Sequence, residues 1–232
     1  MRQTFFTPRV FPSPVAPTLW ARLTWSRPLF VLLVLNLIWT ASLFLAPFTI
    51  PPGAVAYQVG AANWLDHEAL WETLPLYTRL VYSFGDIQCH QLYYRSLWLN
   101  GNQLPLDARM TSMYIFANFG LVAAAFATPA STTSQTILNA LPEGLRRRLS
   151  GLQAERAAAS IIVLGLLPIA VDGFTQLFTT YESNNVTRIL TGVPGGFVGG
   201  LLVGAMLMSL RQLTVEIREM RARFARTSTD LR

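Results

Sequence analysis

Four long apolar stretches constrain this chain of 232 residues more than any other feature, because no Asp, Glu, Lys, Arg or His interrupts them. They comprise residues 29–48, 110–128, 157–171 and 189–210. About 20 residues of helix, at about 1.5 Å per residue, match a hydrocarbon core roughly 30 Å thick. A charge at the centre of a bilayer is costly and usually functional. The pattern therefore predicts four transmembrane helices and argues against a proton pump or a charge-coupled transporter.

The distribution of arginine predicts how these helices are oriented. Fourteen of the 18 basic residues, all of them arginine, precede the first stretch, separate the second from the third, or follow the fourth. Arginine excess in short loops marks the cytoplasmic side of a membrane, so we predict that both termini are cytoplasmic. The basic charge then faces anionic lipid headgroups or cytoplasmic partners. No nucleic-acid recognition motif is present, and we predict no nucleic-acid partner.

The chain is expected to have three parts. Residues 1–28 form a cytoplasmic arm rich in proline and arginine, which is a poor helix former and reads as extended. Residues 29–210 form the membrane domain, including an outer segment at 50–109. Residues 211–232 form a basic amphipathic tail, in which a narrow apolar stripe continues the fourth helix. The tail fits either lipid anchoring or docking onto a partner subunit.

The first apolar stretch has a competing interpretation as a cleaved signal peptide, because Ala54-Val55-Ala56 resembles a cleavage site. The 28 residues before it are too long for the basic region of a signal peptide, and the stretch exceeds the usual 7–15 apolar residues. We therefore expect a retained helix.

The outer segment is too long for an ordinary loop. Asp86 is a plausible N-cap and Asn100-Gly101 a plausible stop, which predicts a helix between them. A stripe at Phe174, Leu177, Phe178 and Tyr181 predicts a second short interfacial helix after the third span. The predicted fold class is therefore all-α: a polytopic membrane protein with four transmembrane helices and interfacial helices on its outer face.

The fourth stretch carries glycine at a strict spacing of four, at Gly192, Gly196, Gly200 and Gly204. These positions share one helix face, and in lipid such a face lets another backbone approach closely. It can pack within the monomer, against a separate subunit, or against a flat cofactor such as a quinone, carotenoid or chlorin. The cofactor itself stays unknown from the sequence.

Polar residues of the outer segment and of the third-to-fourth connection are the candidate site. The predicted cluster contains Cys89, His90, Gln91, Arg95, Gln103, Asp107, Arg109, Asp172, Gln176 and Arg188. We expect Asp172 to pair with Arg109, Arg188 or Arg95, with Arg109 the first choice because it lies in the first turn of a span. The alternative is that Asp172 caps a helix beginning at Phe174.

Two groups of residues resemble a known family. The first contains Cys89-His90-Gln91, Arg95-Ser96, Gly101, Gln103, Pro105, Ala108-Arg109 and Tyr114, and the second contains Asp172-Gly173, Gln176, Arg188, Thr191 and Gly192. In order and spacing they resemble the prokaryotic membrane proteins catalogued as domain of unknown function 2085, over roughly residues 85–205. The resemblance implies a small multi-span protein of a prokaryotic inner membrane and supplies no activity.

The chain departs from that family where chemistry would be expected. The family pattern reads Cys-x-Arg-Cys-x-Gly after the proline, which suggests a thiol-rich metal or redox site. Asp107, Met110 and Ser112 replace its two cysteines and its glycine. Cys89 is the only cysteine, so no intramolecular disulfide can form, and thiolate zinc sites usually need more such ligands.

Three interpretations of the polar cluster stay open from the sequence. Cys89, His90, Asp107 and Met110 could hold a metal, the cluster could be a hydrogen-bonded structural element, or it could bind a lipid, a quinone or a partner loop. The favoured function is a non-catalytic accessory or stabilising subunit of a larger, energy-converting membrane complex. The expected partners are membrane lipids and other membrane subunits. The alternatives are an outer-face metal-binding or redox enzyme, and a lipid- or quinone-binding protein.

Overall fold

The computed structural model of the chain describes residues 18–61 and 64–230. These residues form nine α-helices and two β-strands. The helices are α1 (Leu19–Thr24), α2 (Arg27–Leu45), α3 (Glu68–Trp71), α4 (Leu76–Gln88), α5 (Ala108–Phe126), α6 (Thr133–Asn139), α7 (Glu143–Leu149), α8 (Ala154–Phe178) and α9 (Asn185–Asp230). The strands are β1 (Ser96–Leu99) and β2 (Asn102–Asp107), and 3₁₀ turns occupy Ala46–Phe48 and Tyr93–Arg95.

Within the described residues, three helical segments are long and apolar enough to cross a membrane: Arg27–Phe48, Ala154–Phe178 and Asn185–Arg226. They contain the first, third and fourth predicted spans. The second predicted span lies in α5, which has 19 residues but is less apolar because it carries Arg109 and Asn118. The helix expected to continue past the fourth span is present, since α9 runs for 46 residues to Asp230.

The predicted all-α fold is wrong in the outer segment, where β1 and β2 form a two-stranded antiparallel sheet. Asn100 and Gly101 connect the strands with φ of 51° and 69°. Two successive positive φ angles are typical of a type I′ turn, which asparagine followed by glycine favours. The pair therefore reverses the chain between two strands, and the helix predicted from Asp86 to this point does not exist.

Two further helix boundaries differ from the predictions. Asp86 lies near the end of a helix and not at its beginning, because α4 starts after Pro75 and finishes at Gln88. The interfacial helix predicted at Phe174–Tyr181 is also wrong, because Phe174, Leu177 and Phe178 are the last turns of α8. Asp172 therefore lies inside a long helix and does not cap a new one.

The predicted extended arm is partly helical. Thr18 caps α1 by accepting a hydrogen bond from the backbone N–H of Ala21 at 3.2 Å. Such a cap satisfies one of the free N–H groups at a helix N-terminus. The proline-rich residues 1–17 of the predicted arm lie outside the described residues.

The chain divides into two compact units, each considered by itself. Unit 1 takes its described residues from Met1–Leu32, Phe119–Val163 and Gly199–Arg232. Leu29, Leu121, Leu201 and Met208 are buried in it. A hydrogen bond between side-chain hydroxyls connects two of its helices: the Thr136 hydroxyl of α6 and the Ser209 hydroxyl of α9 lie 2.9 Å apart.

Unit 2 consists of Leu33–Asn118 and Leu164–Val198 in the described parts of the chain. One apolar cluster gathers Ala46, Ile50, Val55, Trp71, Val81 and Tyr82. A second contains Leu43, Cys89 and Leu106. Every residue predicted for the outer polar cluster belongs to this unit, so the candidate site is built on this core.

Candidate functional site

The junction between the hairpin and α5 positions the first part of the site. β2 ends at Asp107 and α5 begins at the next residue. The Asp107 carboxylate accepts a hydrogen bond from the backbone N–H of Met110 at 2.7 Å. An aspartate in this position satisfies a free N–H group of the first turn, where the helix dipole also favours a negative charge. The cap sets where α5 begins and therefore where Arg109 lies.

Arg109 forms the predicted ion pair with Asp172 of α8. Both side chains are largely buried, with 15% of Arg109 and 6% of Asp172 exposed. The Arg109 guanidinium also lies 3.5 Å from the Ser183 hydroxyl, at the limit of hydrogen bonding. Burying a charge is costly unless it is paired and hydrogen-bonded. The ion pair therefore offsets the free-energy cost of burying the Arg109 guanidinium and the Asp172 carboxylate.

Gln176 connects this pair to Arg188. One turn after Asp172, its amide nitrogen donates to the Asp172 carboxylate at 2.7 Å. Its amide oxygen accepts from the Arg188 guanidinium, also at 2.7 Å. A glutamine amide carries a donor and an acceptor, so it can contact an anion and a cation at once. Gln176 thereby extends the pair into a continuous chain of hydrogen bonds.

Arg188 completes the chain from the first turn of α9. Its side chain is only 3% exposed, and its Nε donates to the backbone carbonyl of Ser183 at 3.1 Å. Its guanidinium lies 3.7 Å from the carboxylate of Asp107. We call Asp107, Arg109, Asp172, Gln176 and Arg188 the arginine–carboxylate network. It contains two positive and two negative groups and so balances its own charge.

Arg95 lies outside this network and pairs with Glu182 at 2.7 Å, in a more exposed setting. Asn185, at the start of α9, donates to the backbone carbonyl of Ser96 at 3.1 Å. These two contacts connect the hairpin to the segment that enters α9. The predicted approach of Arg95 to Asp172 is therefore replaced by a pair with Glu182.

Gln91 and Gln103, predicted to join the same cluster, form a separate glutamine network. The Gln91 amide donates to the backbone carbonyls of Tyr82 and Pro105, at 3.1 and 2.9 Å. Gln103 donates to the Gln91 carbonyl and accepts from the backbone N–H of Gln58 at 3.0 Å. Both glutamines are buried. Because their partners are backbone groups of α4, the hairpin and the preceding loop, this network holds those segments together.

Cys89 and His90 do not act as a pair. Cys89 is 4% exposed and packs against Leu43 and Leu106, whereas His90 is exposed. Burial, together with the negative charge of Asp107, raises the pKa of the Cys89 thiol to about 11. Because the thiolate is the nucleophile and the metal ligand, this environment makes the thiol inert at neutral pH. In the described parts of the chain, no three His, Cys, Asp or Glu residues are grouped so that they could hold a metal ion.

Asp86 is a buried polar residue that the sequence analysis misassigned. Its carboxylate is fully buried in α4 and accepts from the Trp71 indole at 2.8 Å and the backbone N–H of His67 at 3.1 Å. The His67 ring lies 3.2 Å from the same carboxylate. Asp86 therefore connects α4 to α3. The spacing of four between His67 and Trp71 is a signal that could have indicated their shared partner.

The glycines of α9 lie close to α5. In unit 2, side chains added at Gly192 and Gly196 would meet the backbone carbonyl of Arg109 and the backbone of Met113. In unit 1, a side chain at Gly204 would meet Ala124. Gly200 is buried. This face therefore lies against a helix of the same chain at three of its four glycines.

The comparisons with known proteins agree with the membrane architecture. Residues 89–210 match the family described as "Predicted membrane protein (DUF2085)", and they contain the whole arginine–carboxylate network. An uncharacterized protein of Methanothermobacter thermautotrophicus is 33% identical over 108 residues, which cover 47% of this chain and 77% of that protein. An uncharacterized protein of Methanocaldococcus jannaschii is 26% identical over 167 residues, covering 72% and 84%.

No solved structure shows significant similarity to the chain. The family match nevertheless covers more than half of the sequence, and it includes the hairpin, α5, α8 and the membrane part of α9. This protein therefore belongs to the family of predicted membrane proteins catalogued as domain of unknown function 2085.

Proposed function

We propose that the protein is a four-span, non-catalytic subunit of a larger assembly in a prokaryotic inner membrane, with both termini in the cytoplasm. The observation that carries the non-catalytic role is the arginine–carboxylate network. Asp172 accepts from Arg109 and Gln176, and Asp107 caps α5 and faces Arg188. These contacts occupy the groups that an enzyme would need free for a substrate, and they connect three helices and a hairpin.

The environment of α5 supports a fourth span. Its Asn118 side chain donates to the Thr40 hydroxyl of α2 at 3.1 Å, and the Tyr114 carbonyl accepts from Asn36 at 3.2 Å. Polar groups within a bilayer need partners inside the protein. Because these groups of α5 bond to α2, its lower hydropathy fits an enclosed helix that crosses the membrane beside more apolar neighbours.

The distribution of arginine supports the orientation. Of the 18 arginines, 14 lie before or at the first residue of α2, between α5 and the first turn of α8, or after the apolar part of α9. This is the excess expected on the cytoplasmic side. The arginine–carboxylate network then lies toward the opposite side of the membrane.

The end of α9 supports membership of an assembly. A helix of 46 residues is about 69 Å long at about 1.5 Å per residue, more than twice the roughly 30 Å hydrocarbon core. Its last turns carry an apolar stripe of exposed side chains: Leu213, Ile217, Met220 and Phe224. Helices gain most of their stability from packing an apolar face. Because arginines flank the stripe, its complement is a partner subunit with an apolar groove and an acidic rim.

Mild-detergent extraction from the natural host tests this proposal. The wild-type protein should migrate on native gels well above its own 25.8 kDa plus detergent, together with other chains. The variant Ile217→Gln/Phe224→Gln should migrate as a single chain, because polar groups in the apolar stripe oppose docking. The matched control Arg146→Gln/Arg148→Gln removes two exposed arginines of α7, leaves the stripe and its flanking arginines intact, and should stay in the assembly. A wild-type protein that migrates alone, or only with copies of itself, would overturn the proposal.

A further inference from the structure

Unit 1 contains a groove that the proposed subunit role does not use. It has a volume of about 560 Å³ and is lined by Arg27 at the start of α2 and by Arg211 and Arg218 of α9. Leu207 and Leu210 form part of its apolar wall. Small-ligand sites commonly occupy about 300–1,000 Å³. We propose that this arginine groove binds the headgroup phosphate of an anionic phospholipid, with the adjoining acyl carbons against the leucines.

Two elements of unit 1 bring the three arginines together. The buried Ser26 hydroxyl donates to the Leu207 backbone carbonyl at 3.3 Å, which holds the beginning of α2 against α9. Arg211 and Arg218 are seven residues apart, or about two turns, and therefore share one face of α9. Arg27 follows Ser26 directly. Their arrangement is thus set by a buried contact and by helix periodicity.

The positive charge of the groove has no ion-pair partner among the described side chains. Among the side chains that the structure describes, none forms an ion pair or hydrogen bond with the guanidinium of Arg27, Arg211 or Arg218. Of the nearby acids of α9, Glu216 accepts from the Ser131 hydroxyl at 2.7 Å and Glu219 lies 4.0 Å from Arg223, so neither forms an ion pair with an arginine of the groove. Three like charges without an ion-pair partner among the described side chains favour an anion. The positive end of the α2 dipole adds to this preference.

The surroundings favour a lipid over a soluble anion. Arg27 begins the segment Arg27–Phe48, which is long and apolar enough to cross a membrane, and Arg211 follows directly after Leu210 of the apolar part of α9. Arginines at the ends of apolar helices lie where headgroups lie. On a helix that turns 100° per residue, Arg211 and Arg218 lie about 100° or more around α9 from every residue of the apolar stripe, whereas the leucine wall of the groove adjoins the stripe. A partner subunit on the stripe would therefore leave the groove arginines accessible to a headgroup.

Titration of the purified full-length protein in neutral detergent tests the site. Fluorescently labelled phosphatidylglycerol should bind saturably, and zwitterionic phosphatidylcholine should bind much more weakly. Arg27→Gln/Arg211→Gln/Arg218→Gln should weaken phosphatidylglycerol binding roughly a hundredfold, because each arginine near an anionic headgroup contributes about fivefold. Circular dichroism and gel filtration check that the variant is folded. If it is not, the exposed single variant Arg218→Gln should still weaken binding about fivefold.

A charge-matched control separates a defined site from general attraction. Arg146→Gln/Arg148→Gln/Arg221→Gln removes three exposed arginines of unit 1 that do not line the groove, and it should bind phosphatidylglycerol like the wild type. Equal losses in the two triple variants, or equal binding of the two lipids, would overturn the proposal. Displacement of phosphatidylglycerol by a moderate excess of inorganic phosphate would show a simple anion site and would overturn the assignment to a lipid.

Discussion

Replacing Asp172 with asparagine is the most direct test of the arginine–carboxylate network. The substitution keeps the shape of the side chain and its contact with Gln176, but it leaves the buried Arg109 without a carboxylate. Breaking a buried ion pair by removing one partner typically costs about 3–5 kcal/mol. The lower end applies here, because Arg109 is 15% exposed and lies 3.5 Å from the Ser183 hydroxyl.

This loss should appear as a large drop in thermal stability. For a chain of this size, about 1 kcal/mol corresponds to roughly 2–4 °C in Tm, so Asp172→Asn should lower Tm by about 6–12 °C. Cys89 provides the assay, because a fluorogenic maleimide reacts with thiolates. In the folded protein the Cys89 thiol is buried and its pKa is about 11, so near pH 7 the signal should rise only as the protein unfolds in detergent.

Two further variants test whether the loss of stability comes from the buried ion pair. Arg147→Gln breaks the pair with Glu143, whose side chains are 77% and 63% exposed, and such surface pairs contribute about 0–1 kcal/mol. The double variant Asp172→Asn/Arg109→Gln should lose less than the sum of the single losses, because neither charge is left alone. If Asp172→Asn unfolds within about 2 °C of both wild type and Arg147→Gln, the network does not support the fold.

Two further predictions concern helix packing and orientation. Gly196→Ala should lower Tm because the added methyl group meets the backbone of Met113, whereas Gly199→Ala meets nothing within 4 Å and should leave Tm unchanged or raise it; equal effects would contradict close packing of the glycine face. A membrane-impermeant maleimide should label Glu68→Cys in intact cells and Arg221→Cys only after permeabilisation, and the reverse pattern would invert the proposed orientation.

The apolar stretches made three membrane helices predictable, because length and hydropathy are local properties of a sequence. The ion pair of Asp172 with Arg109 was predictable for a related reason. Both residues adjoin apolar stretches, where an unpaired charge is costly. The continuation of α8 past Asp172 was not predictable in this way. From the sequence, the charge of Asp172 predicts the end of the third span. In the structure α8 continues past Asp172, because Arg109 of α5 pairs with this carboxylate.

The sequence did not predict the β-hairpin, because the pair Asn100-Gly101 is compatible with a helix end and with a hairpin turn. Asn100-Gly101 can stop a helix or reverse a β-hairpin, and together with Asp86 as a candidate N-cap it predicts a helix. The choice depends on the strand that follows, where Asn102 donates to the backbone carbonyls of Pro47 and Pro51 at 3.0 and 3.1 Å. Contacts so distant in sequence do not show in a local pattern. The separation of Gln91 and Gln103 from the arginine–carboxylate network has the same cause.

The order in which the ribosome delivers the network's members has a consequence for biogenesis. Arg109 is made 63 residues before its partner Asp172, and Arg188 follows later still. At about 5–20 residues per second, Arg109 waits roughly 3–13 s for its counter-charge. During that interval the nascent chain holds Arg109 beside the bilayer without its ion-pair partner from α8. Chains that stop before α8 never acquire the Asp172 carboxylate, so an incomplete chain differs from a finished one in the charge balance around Arg109.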